Sequence, residues 1–319
     1  GRLVREADVI LGLEMTDFWG SVHRVRDLVH REETRIARDD VKCISLGVND
    51  LFMKSNYQNF QRYQPVDLSI AGDAEATLPA LTDEVRRAMS SARRAQIAER
   101  EEGLKASHHE MRTRTRKDAA YAWNASPIST ARLSMEVWQQ IKDRDWSLVS
   151  TIWGLSNWPH RLWTMNRHHH FIGTSGGYGI GYGAPASTGA ALANRAHGRL
   201  SVNLQSDGDL MYGPGVLWTS AHHGIPLLSV VHNNRGYHQE KMHLLRMGNR
   251  RRRGADGNAN IGTAFEDPFI NYAALARTMG IWAEGPVSNP DELAPILARA
   301  VEVVEGGEPA LVDVVSQPR

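Results

Sequence analysis

The chain has 319 residues, with 37 Lys and Arg against 36 Asp and Glu and a formal charge of +1. So close a balance excludes a global field that would draw it to nucleic acid or an anionic membrane. No apolar run reaches the roughly 18–20 residues of a membrane span, and a hydrophobic fraction of 41% is that of a chain that packs a core, long enough for two domains.

The only cysteine, Cys43, excludes an internal disulfide and fits a reducing, cytoplasmic location. The first residues lack the zones of a signal peptide. They lead almost at once into a strand-like run, VILGL (9–13), an abrupt start expected of a fragment. Two more such runs, CISLGV (43–48) and VDLSI (66–70), are predicted as buried strands. Asp73 is placed to cap a helix on which Leu78, Leu81, Val85 and Met89 share a face. Residues 1–100 therefore read as an α/β layer. Residues 101–128 are polar and weakly periodic, and are expected to form a surface linker.

From Ser129 the pattern changes. Ser129 or Thr130 caps a predicted helix carrying Leu133, Val137 and Ile141, followed by a strand at 147–151 and an aromatic loop. A glycine-rich segment, FIGTSGGYGIGYGAPASTGAALANR, runs into an Ala-rich helix. Strand 200–205, helix GPGVLWTSAHHG, strand 226–231, helices 267–280 and 290–306 and strand 310–315 complete a domain spanning 129–319. Strands alternating with helices predict mostly parallel sheets covered on both faces.

Parallel strands joined by a right-handed crossover end on one edge of their sheet, where open α/β sheets bind ligands. That rule brings Asp207-Gly208 together with Asn233-Asn234, one carboxylate and two carboxamides, over a helix starting near Pro214-Gly215. Gly208 and Gly213 allow close backbone approach, the helix start suits a phosphate, and carboxylate and amide oxygens suit Mg²⁺. From the residues alone, this is a place for Mg²⁺ and a diphosphate.

The sequence S-D-G, 24 further residues, then N-N resembles the motif of thiamine-diphosphate-dependent enzymes, of the acetolactate synthase and 2-keto acid decarboxylase type. TSGGYGIGYGAPASTGAALA (174–193) is similar to the glycine-rich segment preceding that motif. The resemblance implies a thiamine-diphosphate-binding fold, with 129–319 as the diphosphate-binding domain and 1–100 as a partial, Rossmann-like middle domain. It implies Asp207, the Asn234 side chain and the Gly236 carbonyl as metal ligands. Ser175, Gly176, Gly177, Ile180, Ser206, Gly208, Asp209 and Tyr237 would lie at the cofactor. Ile180, or Tyr178 in its place, would supply the apolar side chain that keeps the cofactor bent. Ser206 stands where the family has glycine, which predicts some strain in the turn.

The family's activating glutamate sits in a pyrimidine-binding domain and reaches the cofactor across a subunit interface. No such domain is found here, so a homodimer or homotetramer that is catalytic only with that domain is expected. Acetolactate synthase-like chemistry on pyruvate or another small 2-keto acid is the first reading. An aryl 2-keto acid (benzoylformate-type) decarboxylase is the alternative, suggested by LWTSAHHGIP, because NNRGYHQEKMH lacks the stretch that synthases carry after the Asn pair. A coenzyme A anion clamp at Arg250–Arg253 would favour a 2-hydroxyacyl-CoA lyase, against a solvated loop. A non-catalytic partner subunit is the reading from another class, and FAD remains open.

Gly179-Ile-Gly-Tyr-Gly-Ala184 also fits a dinucleotide fingerprint, G-x-G-x-x-A, which needs a preceding strand. That NAD reading leaves the Asn pair unexplained. His170, just ahead of the glycine segment, is a candidate for proton transfer, weighed against a loop role. His222 and His223 are expected to pack or cap, and His238 and His243 lack zinc-motif spacing. Trp153, Trp158 and Trp163 shape either a pocket or a packed interface.

Overall fold

The computed structural model describes residues 2–25, 32–48, 62–150, 155, 157–173, 179–254 and 257–318. One compact unit holds the chain up to Leu104. The other runs from Lys105 onward, apart from 176–178, which lie outside the described residues.

The first unit contains α1 (Arg2–Glu6), β1 (Val9–Leu13), α2 (Phe18–Val22), a hairpin of β2 (His23–Val25) and β3 (Glu33–Arg35), β4 (Lys42–Gly47), β5 (Leu68–Ala71) and α3 (Ala74–Ala88). Strands β1, β4 and β5 form a parallel sheet in that order. Its core is small, with Phe18, Val22, Ala37, Val41 and Cys43 at its centre. β1 and β5 are therefore less buried than their apolar runs predict, with Val9, Leu11, Leu13 and Leu68 exposed. The Asp73 carboxylate accepts the Ala76 N–H at 2.8 Å, so the expected cap forms. Asp73→Ala is expected to cost about 1 kcal/mol, read as a lower urea midpoint at unchanged slope.

Helix α4 (Ser91–Ala119) crosses the boundary between the units. Much of the expected linker is thus helical. Its Ala, Arg, Glu and Lys favour helix intrinsically, and pairs such as Glu110–Arg114 support it. It buries only Thr115 and Ala119, which is why no apolar period announces it.

The second unit continues with α5 (Thr130–Ile141), β6 (Trp146–Ser150), α6 (Trp158–Leu162), a 3₁₀ turn (His168–His170), α7 (Gly183–Arg195), β7 (Leu200–Ser206), α8 (Asp207–Leu210), α9 (Val216–His222), β8 (Leu228–Asn233), α10 (His238–Arg250), α11 (Tyr272–Thr278), β9 (Trp282–Val287), α12 (Pro290–Glu305) and β10 (Ala310–Val315). The sheet order is β6-β7-β8-β10-β9, every neighbouring pair parallel. Alternation along the strands separates two cores. Leu228, Val230, Val312 and Val314 pack with Leu133 and Val137 of α5 and Leu297 and Val301 of α12. Val231 and Leu311 pack on the other face with Leu217 of α9 and Tyr272 and Ala276 of α11. The structure is the expected α/β architecture, parallel strands with helices on both faces.

Of the elements that the sequence reading does not predict, two carry a clear reason. β9 contains Gly285 and Pro286, which argue against a strand except at an edge, where it lies. α10 has no buried residue to mark a period. The helix expected at 267–280 begins only at Tyr272, where the Asn271 side chain accepts the Ala274 N–H at 2.7 Å.

Candidate cofactor site

β7 and β8 are adjacent, with Ser206 level with His232. The residues that follow them, Asp207 and Asn234, therefore leave the same edge of the sheet. Asp207 is 1% exposed. One of its carboxylate oxygens accepts the Gly208 N–H at 2.8 Å and the other the Gly236 N–H at 3.1 Å. The backbone N–H groups of Arg235 and Asn234 also face it. Burial nevertheless dominates and pushes the carboxyl up to about 6.

The expected pair of carboxamides is not brought together. Successive residues of a strand point to opposite faces. Asn233 turns away, its Nδ2 donating to Asp313 Oδ1 at 2.9 Å, while Asp313 also accepts the Tyr272 N–H at the start of α11. Asn234 alone is left for the site. Its Nδ2 lies 3.2 Å from Nε2 of His232, and its Oδ1 is buried without a hydrogen-bond partner. A buried amide oxygen without a partner, on the strand end neighbouring that of a buried carboxylate, is free to accept from a donor or a cation.

The loop after Asn234 is pinned on both sides of Gly236. The Tyr237 N–H donates to Thr263 O at 2.7 Å and the Phe265 N–H to Arg235 O at 2.9 Å. A Cβ on Gly236 would collide with the Thr263 carbonyl, and one on Gly208 with the Tyr237 ring. Tyr237 stacks edge-on against Phe265 and reaches the Gly208 carbonyl at 3.4 Å. Burial, then its bond with Tyr212, pushes the Tyr237 phenol up to about 12 and keeps it protonated.

The predicted strain at Ser206 is absent. Its φ of −82° and ψ of 148° are ordinary extended backbone, so serine serves as well as glycine. A separate turn of helix, α8, comes before α9, whose start at Val216 is therefore not what Asp207 opens onto. Asp209 takes a holding part. One of its oxygens accepts the Gly181 N–H at 2.5 Å and the other the Gln205 Nε2 at 2.7 Å, which ties the glycine-rich segment to β7. Gly181 needs its glycine, with φ of +83° and the Tyr212 side chain where a Cβ would sit. Ile180 beside it is 60% exposed. Ser175, Gly176, Gly177, Tyr178 and Trp153 lie outside the described residues.

His170 is corrected from a catalytic candidate to a core residue. It is buried, stacks on Trp146 at 4.1 Å and accepts the Asn166 N–H. Trp146 opens β6 at the level of Leu200, so the ring sits at the amino edge of the sheet. Asp207 lies at the opposite edge, about 20 Å away along β7 at ~3.3 Å per residue. Trp158 and Trp163 are also packing residues, their Nε1 atoms donating to Thr130 Oγ1 and Ser134 O. His222 stacks on Trp218, as expected of a packing residue. Among the described residues, what precedes the segment 179–184 is the 3₁₀ turn and an isolated bridge at Phe171, not the strand that the dinucleotide fingerprint requires. Arg251–Arg253 are exposed beyond α10, where cations complement a helix C-terminus.

Sequence reasoning missed His232, Ser316 and Asp313. His232 and Asp313 are polar residues inside otherwise apolar strand runs, the signal that would have found them, and Ser316 directly follows β10.

Among the described residues no group of three His, Cys, Asp or Glu could hold a metal. A mixed set of one carboxylate, one amide oxygen and a backbone carbonyl is a weak cage by itself. It fits Mg²⁺ shared with phosphate oxygens. A parallel α/β sheet with these residues at its carboxyl edge has the layout of a domain that binds its ligand there.

Residues 154–314 match the family described as thiamine pyrophosphate enzyme, C-terminal TPP binding domain, and the chain belongs to that family. It is 34% identical over 149 residues to a Mycobacterium tuberculosis protein named "Putative acetolactate synthase large subunit IlvX", a match covering 46% of this chain and 27% of that one. Its fold is similar to that of the thiamine diphosphate-dependent 4-hydroxybenzoylformate decarboxylase of Rhodococcus jostii RHA1, with TM-score 0.63, 17% identity, and 97% of this chain and 49% of that one covered. A Mycobacterium smegmatis structure, titled as "a putative thiamin diphosphate-dependent enzyme", aligns with TM-score 0.60, 18% identity, and 98% and 48% covered. The chain spans about half the length of these solved relatives.

Proposed function

We propose that this chain anchors the diphosphate of thiamine diphosphate through Mg²⁺ in an enzyme that decarboxylates or joins 2-keto acids. The observation that carries the reading is an orphaned Asn234 Oδ1 and a buried Asp207 carboxylate on neighbouring strand ends. Asp207, Asn234 Oδ1 and the Gly236 carbonyl would hold the ion. Gly208, Ser206, Asp209, Tyr237 and the glycine-rich segment, including Ser175–Gly177 and Ile180, would surround the cofactor. The cofactor, when bound, supplies the stabilisation of the carbanion left after decarboxylation. This chain's residues bind and orient: Asp207 brings the negative charge, Asn234 the second oxygen, and the pinned Gly236 loop holds the third in place.

Acetolactate synthase-like chemistry is favoured by the 34% identity to the mycobacterial protein. The residues 1–100 are taken as part of a middle domain and 129–319 as the diphosphate-binding domain. The group that activates the cofactor is assigned to sequence outside these residues, in an oligomer whose active site lies between subunits. Calorimetric titration of the purified chain with thiamine diphosphate tests the reading. Weak binding that requires Mg²⁺, with none for NAD, is expected. Equal binding with and without Mg²⁺ would exclude it.

A further inference from the structure

His232 is buried near the end of β8, on the strand face that also carries Val230 and Leu228, and its ring meets the side chains of Ser316 and Asn234 and the backbone of Pro318. Its Nδ1 lies 2.5 Å from Ser316 Oγ and its Nε2 lies 3.2 Å from Asn234 Nδ2. The direction of this chain of bonds follows from Asn234, whose NH₂ can only donate: Nε2 of His232 accepts from it, so a neutral ring carries its proton on Nδ1, facing Ser316 Oγ. The Ser316 hydroxyl proton is then left for the Val314 carbonyl at 3.3 Å. In this arrangement Asn234 turns its NH₂ toward His232 and its oxygen away, and that oxygen is the buried one left without a partner.

Resting on the reading of Asp207 and Asn234 as cation ligands, we propose that His232 is a positioning residue. Locked by Ser316, it fixes the carboxamide of Asn234 so that oxygen, not NH₂, faces the cation. A free carboxamide has two orientations nearly equal in shape. Only one of them ligates. An apolar residue at 232 would leave the choice to the site itself, and second-sphere groups of this kind typically change metal affinity about 10–100-fold.

The test uses the intact 319-residue chain with Mn²⁺ as a paramagnetic probe in the presence of thiamine diphosphate, its binding read by electron paramagnetic resonance. His232→Leu is expected to weaken Mn²⁺ about 10-fold. His232→Gln, whose side-chain oxygen can still accept from Asn234, is expected to recover most of that loss. Leu and Gln variants that weaken Mn²⁺ equally would reduce His232 to packing and overturn the proposal. So would a His232→Leu variant that binds Mn²⁺ as the wild type does while Asp207→Ala does not. If Asp207→Ala also binds normally, the reading of the cation site fails instead. Should His232→Leu not fold, ¹⁵N spectra of the histidine rings in the wild-type chain, assigned by the signal missing from His232→Gln, provide the second measurement. A proton on Nδ1 supports the proposal and a proton on Nε2 overturns it.

Discussion

Asp207→Asn is expected to make the metal-free chain more stable while abolishing its Mg²⁺-dependent binding. The folded carboxyl is raised to about 6 from 3.8, chiefly by burial, so folding favours its protonated form. A group raised in this way contributes stability below its unfolded pKa and loses it as pH rises through the folded one. At pH 7 the ionised carboxylate therefore costs on the order of 3 kcal/mol, at 1.36 per pKa unit. Asparagine removes the charge and keeps one oxygen for the backbone N–H groups, but sets an NH₂ against the other. That lost bond offsets part of the gain, leaving about 1–2 kcal/mol of added stability. The same change deletes the one formal negative charge of the proposed ligand set. Since outer-sphere changes alone cost about 10–100-fold, more than 100-fold weaker Mg²⁺-dependent binding is expected. Urea melts without metal and calorimetry with it read the two effects on one protein. A variant less stable than the wild type, or one that still needs and binds Mg²⁺, would contradict the account.

The second large effect is a pair of opposing pH dependences. His232 is lowered to about 4 from 6.5 by burial, so its contribution is present above pH 6.5 and is lost as pH falls toward 4. Asp207 moves the other way, gaining stability as pH falls from about 6 toward 3.8. Asp313, also raised by burial, adds to the Asp207 direction. Each of the first two amounts to on the order of 3 kcal/mol, and between pH 4 and 6 they largely cancel. Single substitutions should separate them. In Asp207→Asn, stability should fall between pH 6.5 and 4. In His232→Leu it should rise over the same acidification, whatever the absolute cost of the substitution. Denaturation midpoints at stepped pH measure both slopes. Parallel profiles in the two variants would show that these groups do not titrate as buried, opposed sites.

The α/β architecture and the placing of two strand ends on one edge were legible in the sequence, and the individual side chains were less so. Strands ending at Asp207 and at the Asn pair could be placed on one edge because parallel topology leaves no other arrangement. The same period-two rule, applied one step further, separates Asn233 from Asn234. Only packing showed which of the two faces Asp313. α4 stayed hidden because a helix supported by charge pairs carries no apolar stripe. His170 misled because proximity in sequence to the glycine segment is not proximity to the strand ends. A 3₁₀ turn returns it to the start of β6.

The bonds of Asp209 bear on kinetics. Gly181 is held by a residue only two positions from Asp207, and Gln205, one strand residue earlier than Ser206, holds Asp209 in turn. Gly181 and the Asp207 carboxylate are thereby gauged against each other by five consecutive residues. A ligand spanning both meets a template whose spacing is set before it arrives. Little ordering of Gly181 is then left for the encounter, and differences in affinity among analogues should fall on how slowly they leave.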